Sequence, residues 1–240
     1  MRHLLAISIA VAVISFSRAD DKNWIDLTDG KSMDLWAGKT DGWSWADSVQ
    51  LSEKNPKLLM FSGSGAILIN GEKGRARDLI TKRQFTDVEV RLEFLIAKGS
   101  NSGIKFHAVY EVQILDTYGK KNLSGDSLGG IYPRAEANPR YHHIDDGIAP
   151  RVNAAKPAGE WQTLDVTFFS PRIDADGKKT ANAKIVKATL NGQLIHENQE
   201  LKTPTGTNWN KKEVEKGSFM LQGDHGPVAF RNVRIRELRK

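Results

Sequence analysis

Residues 101–116 read NSGIKFHAVYEVQILD, a run in which apolar and polar side chains alternate. Successive side chains of an extended strand point to opposite faces of a sheet, so the even positions from Ile104 to Ile114 predict a buried face. The odd positions place hydrogen-bonding and titratable groups on one line: Asn101, Lys105, His107, Glu111 and Gln113. A solvated face also alternates, but convergent polar groups beside apolar walls are typical of a pocket, so we expect a binding cleft here.

We interpret this run as one long strand, although strands usually span about 5 to 6 residues. A bulge or bend near residues 108–110 is the alternative, and it would shift the parity of one half.

Several other segments have the same two-residue period. Residues 87–97 and 161–170 alternate as half-buried strands do. Residues 184–196 predict a hairpin, because Asn191 and Gly192 accept the positive φ angles of a two-residue turn. No amphipathic helix of three turns is visible. The sequence therefore predicts an all-β fold in which two antiparallel sheets pack as a β-sandwich.

The start of the chain has the pattern of a signal peptide, which we place at residues 1–19. Arg2 precedes an apolar run at residues 4–14, and the small residues Ser17 and Ala19 occupy the two positions that a signal peptidase reads, which predicts cleavage after Ala19. The run is shorter than the roughly 20 residues that span a bilayer. We expect export to a secreted or periplasmic location, no membrane span, and one domain over residues 20–240.

Composition excludes some chemistry. The chain has no cysteine, so disulfides, a cysteine nucleophile and cysteine-ligated metals are all ruled out. The formal charge of +6 falls to about +4 after loss of the signal peptide and is spread along the chain. Nucleic acid is therefore not an expected partner. No pattern indicates an oligomeric state.

Two loop regions carry further candidate residues. Residues 120–158 lack periodicity, and a loop of that length is usually functional or disordered. Its side chains suited to a polar ligand are Tyr132, Arg134, His142 and His143. Adjacent side chains of an extended segment point apart, so we expect at most one of the two histidines to face a site. In residues 222–226, QGDHG, the glycines predict a bend at a sheet end, where His225 either reaches a cleft or serves as a turn residue.

The tryptophans divide into two expected groups. Trp36, Trp43 and Trp45 are candidates to stack on sugar rings, whereas Trp24 and Trp161 are expected to close the sandwich core.

Five segments occur in an order that resembles the 3-keto-disaccharide hydrolase domain family of secreted bacterial proteins. They are WIDLTDGKSMDLW at 24–36, GSNSGIKFH at 99–107, YEVQILD at 110–116, GGIYP at 129–133 and MLQGDHGPVAFRNVRIREL at 220–238. The resemblance covers nearly all of residues 20–240. It implies a concanavalin A-like or laminin G-like jelly roll, and action on glycosides whose sugar is oxidised to a ketone at carbon 3.

Such a carbohydrate substrate has its own chemistry. The ketone acidifies the hydrogen on carbon 2, so a base can form an enolate that expels the glycosidic oxygen from carbon 1. Water then adds to the enone, which gives a net hydrolysis. The protein must supply a base, a stabiliser for the enolate oxygen, and an acid for the leaving group.

Candidates exist for each part. The base would be Glu111 or His107, and the enolate stabiliser would be Lys105 or one bound divalent cation. The acid would be His142, His143 or His225. The side chains expected to hold the sugar are Asn101, Gln113, Gln222, Tyr132 and Arg134.

Three other functions remain open. A conventional glycosidase needs two carboxylates about 5 to 9.5 Å apart, and Glu111 and Asp116 lie on opposite faces roughly 16 Å apart if the strand is regular. Glu93 or Asp165 could face Glu111 from a neighbouring strand. A non-catalytic carbohydrate-binding sandwich would use the same face, and an adhesion module of laminin G type would bind through its loops.

Overall fold

The computed structural model describes residues 23–238, and this part of the chain contains β-strands but no helix. It therefore includes no helix that is long and apolar enough to cross a membrane. The predicted signal peptide at residues 1–19 lies outside the described residues.

Strands form just under half of the described chain. In chain order they are β1 (Ile25–Asp26), β2 (Trp36–Ala37), β3 (Ser44–Leu51), β4 (Leu59–Ile69), β5 (Leu79–Phe85), β6 (Val88–Ile96), β7 (Asn101–Phe106), β8 (Tyr110–Leu115), β9 (Ala135–Glu136), β10 (His142–His143), β11 (Gln162–Phe169), β12 (Arg172–Ile173), β13 (Lys179–Ala181), β14 (Ala183–Leu190), β15 (Gln193–Leu201), β16 (Gly217–Leu221) and β17 (Val228–Glu237).

Two antiparallel sheets form the sandwich that the sequence predicts. The large sheet has the order β15-β14-β11-β6-β17-β4-β3, with β1 paired to β17. The small sheet has the order β2-β5-β16-β7-β8. The predicted hairpin joins β14 to β15, and its turn residues Asn191 and Gly192 have φ angles of 51° and 78°. The all-β sandwich prediction is confirmed.

The core lies between the facing sides of the two sheets. Phe106 of β7 stacks on Phe168 of β11 with ring centroids 4.5 Å apart. Both rings are almost fully buried, and burial of such a side chain stabilises the fold by about 1.5 to 3 kcal/mol. Five even-numbered residues of the opening segment belong to this core: Ile104, Phe106, Tyr110, Val112 and Ile114.

Residues 101–116 form a hairpin, so the prediction of one long strand is wrong. β7 and β8 are joined by a turn at residues 107–109, where His107 and Ala108 have φ angles of 52° and 58° and the Val109 amide donates to Phe106 O. His-Ala carries none of the Asn or Gly residues that usually mark such a turn. The pairing nevertheless places Lys105 opposite Glu111, so the polar row stays on one face, away from the core.

The turn directs His107 toward the core edge. Its side chain is buried, its Nδ1 lies 3.1 Å from Val214 O, and its Nε2 lies 3.3 Å from Ser170 Oγ. Its ring packs edge-on against Phe168. A Cβ at Gly217 would lie 2.6 Å from that of His107, so the glycine makes room for the ring.

Burial lowers the pKa of His107, which favours the neutral imidazole. The surroundings of this side chain are those of a structural anchor between the turn and the large sheet.

We predict that His107→Asn destabilises the protein by about 2 kcal/mol, because the ring contacts and hydrogen bonds are lost while asparagine still tolerates positive φ. Urea denaturation measures the change, and kcat/KM is expected to stay close to wild type. Loss of activity at unchanged stability would instead place His107 in the chemistry.

The structure contradicts the expectation for four of the tryptophans. Two that were expected at a sugar site lie in the core, and two that were expected in the core lie on the outer side of the large sheet. Trp36 and Trp43 are buried in the core, so neither presents a face to a sugar. Trp24 lies beneath the guanidinium of Arg91, and Trp161 lies beneath that of Arg231, 4.0 Å from its ring centroid. Indole rings thus serve on the outer side of the large sheet as platforms for arginine.

Candidate active site

The centre of the polar row is an ion pair across the β7–β8 hairpin. Lys105 Nζ lies 3.0 Å from Glu111 Oε2, and the side chains are only 14% and 5% exposed. Pairing of opposed residues on the same sheet face brings the two groups together. Such a pair is costly to desolvate, so its burial on the outer face of a sheet points to a use other than stability.

The hairpin is shaped around the carboxylate of Glu111. A Cβ at Gly103 would lie 2.5 Å from Glu111 Oε1, so a larger residue there would displace the carboxylate. The Glu111 amide donates to Thr205 Oγ1 at 3.0 Å, and its carbonyl accepts from the Tyr132 amide at 3.2 Å. The backbone of Glu111 is therefore held from both sides by loops that are distant in sequence.

Burial raises the pKa of Glu111, and the nearby Lys105 ammonium only partly opposes this. The negative charge of Asp78 raises it further, whereas His225 has a smaller opposite effect. A carboxylate in this setting is a stronger base than an exposed glutamate.

A cleft of about 370 Å³ opens over the ion pair, within the range usual for small-molecule sites. Its lining consists of Asn101, Lys105, Glu111, Tyr132, Tyr141, Gly206, Thr207, Asn208, Gln222 and His225. Glu111 is the one carboxylate among these side chains in the described part of the chain.

One wall comes from the turn between β16 and β17. Gln222 Nε2 lies 3.2 Å from His225 Nδ1, and the same ring nitrogen contacts the Asp224 carboxylate. Asp78 supports this turn, since its Oδ1 accepts a hydrogen bond of 3.0 Å from the Gly223 amide. Burial raises the pKa of Asp78. Sequence reasoning missed Asp78, which immediately precedes β5 and has no periodic signal.

The opposite wall comes from the long loop that the sequence singles out. The Tyr132 hydroxyl lies 2.8 Å from the Tyr141 hydroxyl and 3.0 Å from His143 Nε2. Both tyrosines line the cleft, whereas His143 lies behind Tyr132 and is exposed. The short β9–β10 pair carries His143 into this position.

The structure does not bring all the predicted residues into this cleft. Gln113 is fully buried, and its amide bonds to Asp126 Oδ1 at 2.7 Å and to the Ile114 amide at 3.0 Å. Arg134 pairs with Asp145 at 2.6 Å in an adjoining pocket. The exposed His142 turns its Nδ1 to Arg140 O.

Other lining residues were not predicted. Tyr141, Gly206, Thr207 and Asn208 reach the cleft only through loop packing. No local pattern in the sequence marks them, since each lies outside a regular strand. Within residues 23–238 no group of three or more His, Cys, Asp or Glu side chains is arranged to hold a metal ion.

The fold and cleft can now be compared with known proteins. A model of the 3-keto-alpha-glucoside-1,2-lyase-like domain matches residues 23–236. The chain belongs to this family. The five sequence segments that indicated the resemblance lie within the matched range, except for the last two residues of the final segment. Four of the segments supply the ion pair, Tyr132 and His225.

Relatives of this lyase-like domain include a named bacterial protein and several solved structures. A 3-keto-disaccharide hydrolase of Bacteroides thetaiotaomicron is 25% identical over 219 residues, which is 88% of this chain and 68% of the relative. A crystal structure of a protein assigned as a glycosyl hydrolase from Parabacteroides distasonis has a TM-score of 0.65 at 24% identity and covers 90% of this chain and 84% of its own. A second from the same organism has a TM-score of 0.58 at 19% identity and covers 90% and 99%. These two structures share the fold.

Proposed function

We propose that this protein is a glycoside-cleaving enzyme that acts on 3-keto-glycosides by elimination followed by hydration. The observation that carries the proposal is the buried pair of Lys105 and Glu111 at the base of a sugar-sized cleft. Family membership and the named Bacteroides relative support the substrate class.

Glu111 is proposed as the base that removes the hydrogen from carbon 2. Its raised pKa allows it both to take that proton and to hold it until hydration returns it. Lys105 is proposed to stabilise the enolate oxygen, because its ammonium lies beside the carboxylate and is shielded from solvent. With Lys105 in this role, a divalent cation is not required for the step.

The composition of the cleft disfavours a conventional glycosidase. That mechanism requires two carboxylates flanking the scissile bond, and Glu111 has no second carboxylate among the lining side chains of the described residues. Glu93 and Asp165, the neighbours considered from sequence, lie on β6 and β11 of the large sheet. Elimination needs only one carboxylate.

A non-catalytic carbohydrate-binding module is the second candidate. Tyr132, Tyr141, Asn208 and Gln222 would suit sugar hydroxyls and ring faces, which favours this alternative. A binding face gains nothing from a buried carboxylate of raised pKa, which is why we prefer the enzyme.

Incubation of the purified protein with a 3-keto-glucoside and with its unoxidised parent tests the proposal. We expect release from the ketone alone, with transient enone, and the same rate in the presence of a chelator. Equal release from both substrates would indicate a conventional glycosidase. Sugar binding without release from either would indicate the module.

The pH dependence of kcat/KM is a further prediction. Glu111 acts as base only when ionised, so kcat/KM should fall about tenfold per pH unit below its pKa. Because burial raises that pKa, the midpoint of the acid limb should lie above 4.5, the ordinary value for glutamate. A pH–rate profile measured between pH 4 and 8 checks this, and an acid limb at or below the ordinary value would contradict it.

We also propose that the chain is exported, with cleavage after Ala19. Expression of the full-length gene with N-terminal sequencing of the exported protein tests this, and an uncleaved intracellular product would contradict it.

A further inference from the structure

Three side chains stand in one row across neighbouring segments of the small sheet. Lys105 on β7 is paired with Glu111 on β8, and the Tyr132 amide donates to the Glu111 carbonyl from the segment beyond β8. Neighbouring strands lie about 4.8 Å apart. All three side chains line the same cleft, in the order Lys105, Glu111, Tyr132.

The reacting positions of a 3-keto-glycoside follow one another in a similar row. The ketone oxygen is on carbon 3, the acidic hydrogen is on carbon 2, and the leaving oxygen is on carbon 1. With the enolate oxygen at Lys105 and the hydrogen at Glu111, the glycosidic oxygen lies toward Tyr132.

From this juxtaposition we infer that the Tyr132 hydroxyl is the acid that protonates the leaving oxygen, with its proton replaced by His143. This inference rests on the proposed function and adds the third component of the reaction. Of the three histidines considered from the sequence, His143 is the one hydrogen-bonded to Tyr132, at 3.0 Å. It is therefore a positioning and relay residue, and Tyr132 is the group that touches the substrate.

The location of His225 supports the choice of Tyr132, rather than His225, as the acid. His225 follows β16, which is the neighbour of β7 on the side away from β8. It therefore stands beyond Lys105 in the row, on the side of the ketone. His142 faces away, toward Arg140 O.

Over the full cycle the enzyme neither gains nor loses a proton. Glu111 takes the proton from carbon 2, and the electrons of that bond form the enolate. The enolate collapses to the enone as the bond from carbon 1 to oxygen breaks, and the leaving oxygen takes the Tyr132 proton while protonated His143 restores it. In hydration, water adds to carbon 1 and loses a proton through Tyr132 to His143, and Glu111 returns its proton to carbon 2.

Tyr132 is well suited to hold this proton. Burial raises its pKa, and the hydrogen bond with Tyr141 raises it further, so the hydroxyl stays protonated between turnovers. Exposure of His143 gives the relay contact with bulk water.

The test compares two leaving groups on the same 3-keto-α-glucose: 4-nitrophenol, which leaves without an acid, and methanol, which needs one. For Tyr132→Phe we expect methanol release to fall about 100-fold to 10,000-fold and nitrophenol release to fall less than about threefold. In D₂O, exchange of the carbon 2 hydrogen should continue in this variant, because Glu111 is intact. His143→Gln should show the same selectivity with a smaller loss, about tenfold.

Tyr118→Phe is the matched control, since Tyr118 is exposed and lies outside the cleft. It should match wild type on both substrates, and the melting temperature of each variant establishes that it is folded. Equal losses on both leaving groups, or loss of carbon 2 exchange in Tyr132→Phe, would overturn the inference. Failure of the proposed function is distinguishable, because wild-type protein would then not exchange the hydrogen on carbon 2 of the 3-keto substrate.

Discussion

Replacement of Glu111 by Gln should lower kcat/KM on a 3-keto-glucoside by roughly 100-fold to 10,000-fold. Gln has nearly the same shape and keeps an oxygen that can accept a hydrogen bond from Lys105, but it cannot take the proton from carbon 2. Both product release and deuterium exchange at carbon 2 should therefore be lost together. Steady-state kinetics and NMR measure the two.

Glu72→Gln is the control for the same chemical change at an exposed glutamate outside the cleft, and it should behave as wild type. Because Gly103 leaves room for a side chain of the same shape, and Thr205 accepts only from the backbone amide of residue 111, the melting temperature of the Glu111 variant should stay near that of wild type. Full turnover by a folded Glu111→Gln protein would show that another group is the base.

Replacement of Lys105 by Met should have the second largest effect, on both rate and stability. Loss of the ammonium removes the stabiliser of the enolate oxygen, and we expect kcat to fall about 100-fold to 1,000-fold. It also leaves Glu111 buried without its cation, which typically costs about 3 to 5 kcal/mol of unfolding free energy at neutral pH.

The pH dependence separates these two effects. Without Lys105 the pKa of Glu111 rises further, so the acid limb of the rate profile should move to higher pH. A group whose pKa is raised in the folded state favours folding in its protonated form, so the stability deficit should shrink as pH falls through that pKa. Urea denaturation of the wild type and of the Lys105→Met variant, at several pH values on both sides of the acid limb, measures the stability deficit.

The double variant Lys105→Met/Glu111→Gln is the control. It should recover most of the lost stability, because no unpaired charge stays buried, while remaining inactive. A Lys105→Met protein with wild-type rate, or one whose acid limb does not move, would contradict the assigned role.

Much of the fold could be predicted because its signals are local. Alternation along β6 and β11 shows which side chains face the core, and Asn191-Gly192 specifies the turn between β14 and β15. β3 was missed, since its sequence SWADSVQL alternates weakly and several of its side chains are exposed. The tryptophans were misjudged because composition cannot tell a core indole from one covered by arginine on the outer face.

The candidate site was predicted only in part, because some of its residues are placed by strand alternation and others by tertiary contacts. Parity alone placed Lys105 and Glu111 on one face, and this survived even though the run is a hairpin, because the turn preserves the alternation. Parity could not foresee that the turn directs His107 to the core edge, or that Gln113 is buried with its side-chain amide donating to Asp126.

The sequence by itself determined that the protein is an all-β sandwich of the lyase-like family with a row of titratable groups on one face of a sheet. These properties follow from side-chain period and from residue order. Only the tertiary structure decided which members of the row form a site. The cleft walls come from residues 132–141, 206–208 and 222–225, which meet over β7 and β8 only when the sheets pack. The same packing removes water from Glu111 and raises its pKa, since desolvation depends on neighbours in space rather than in sequence.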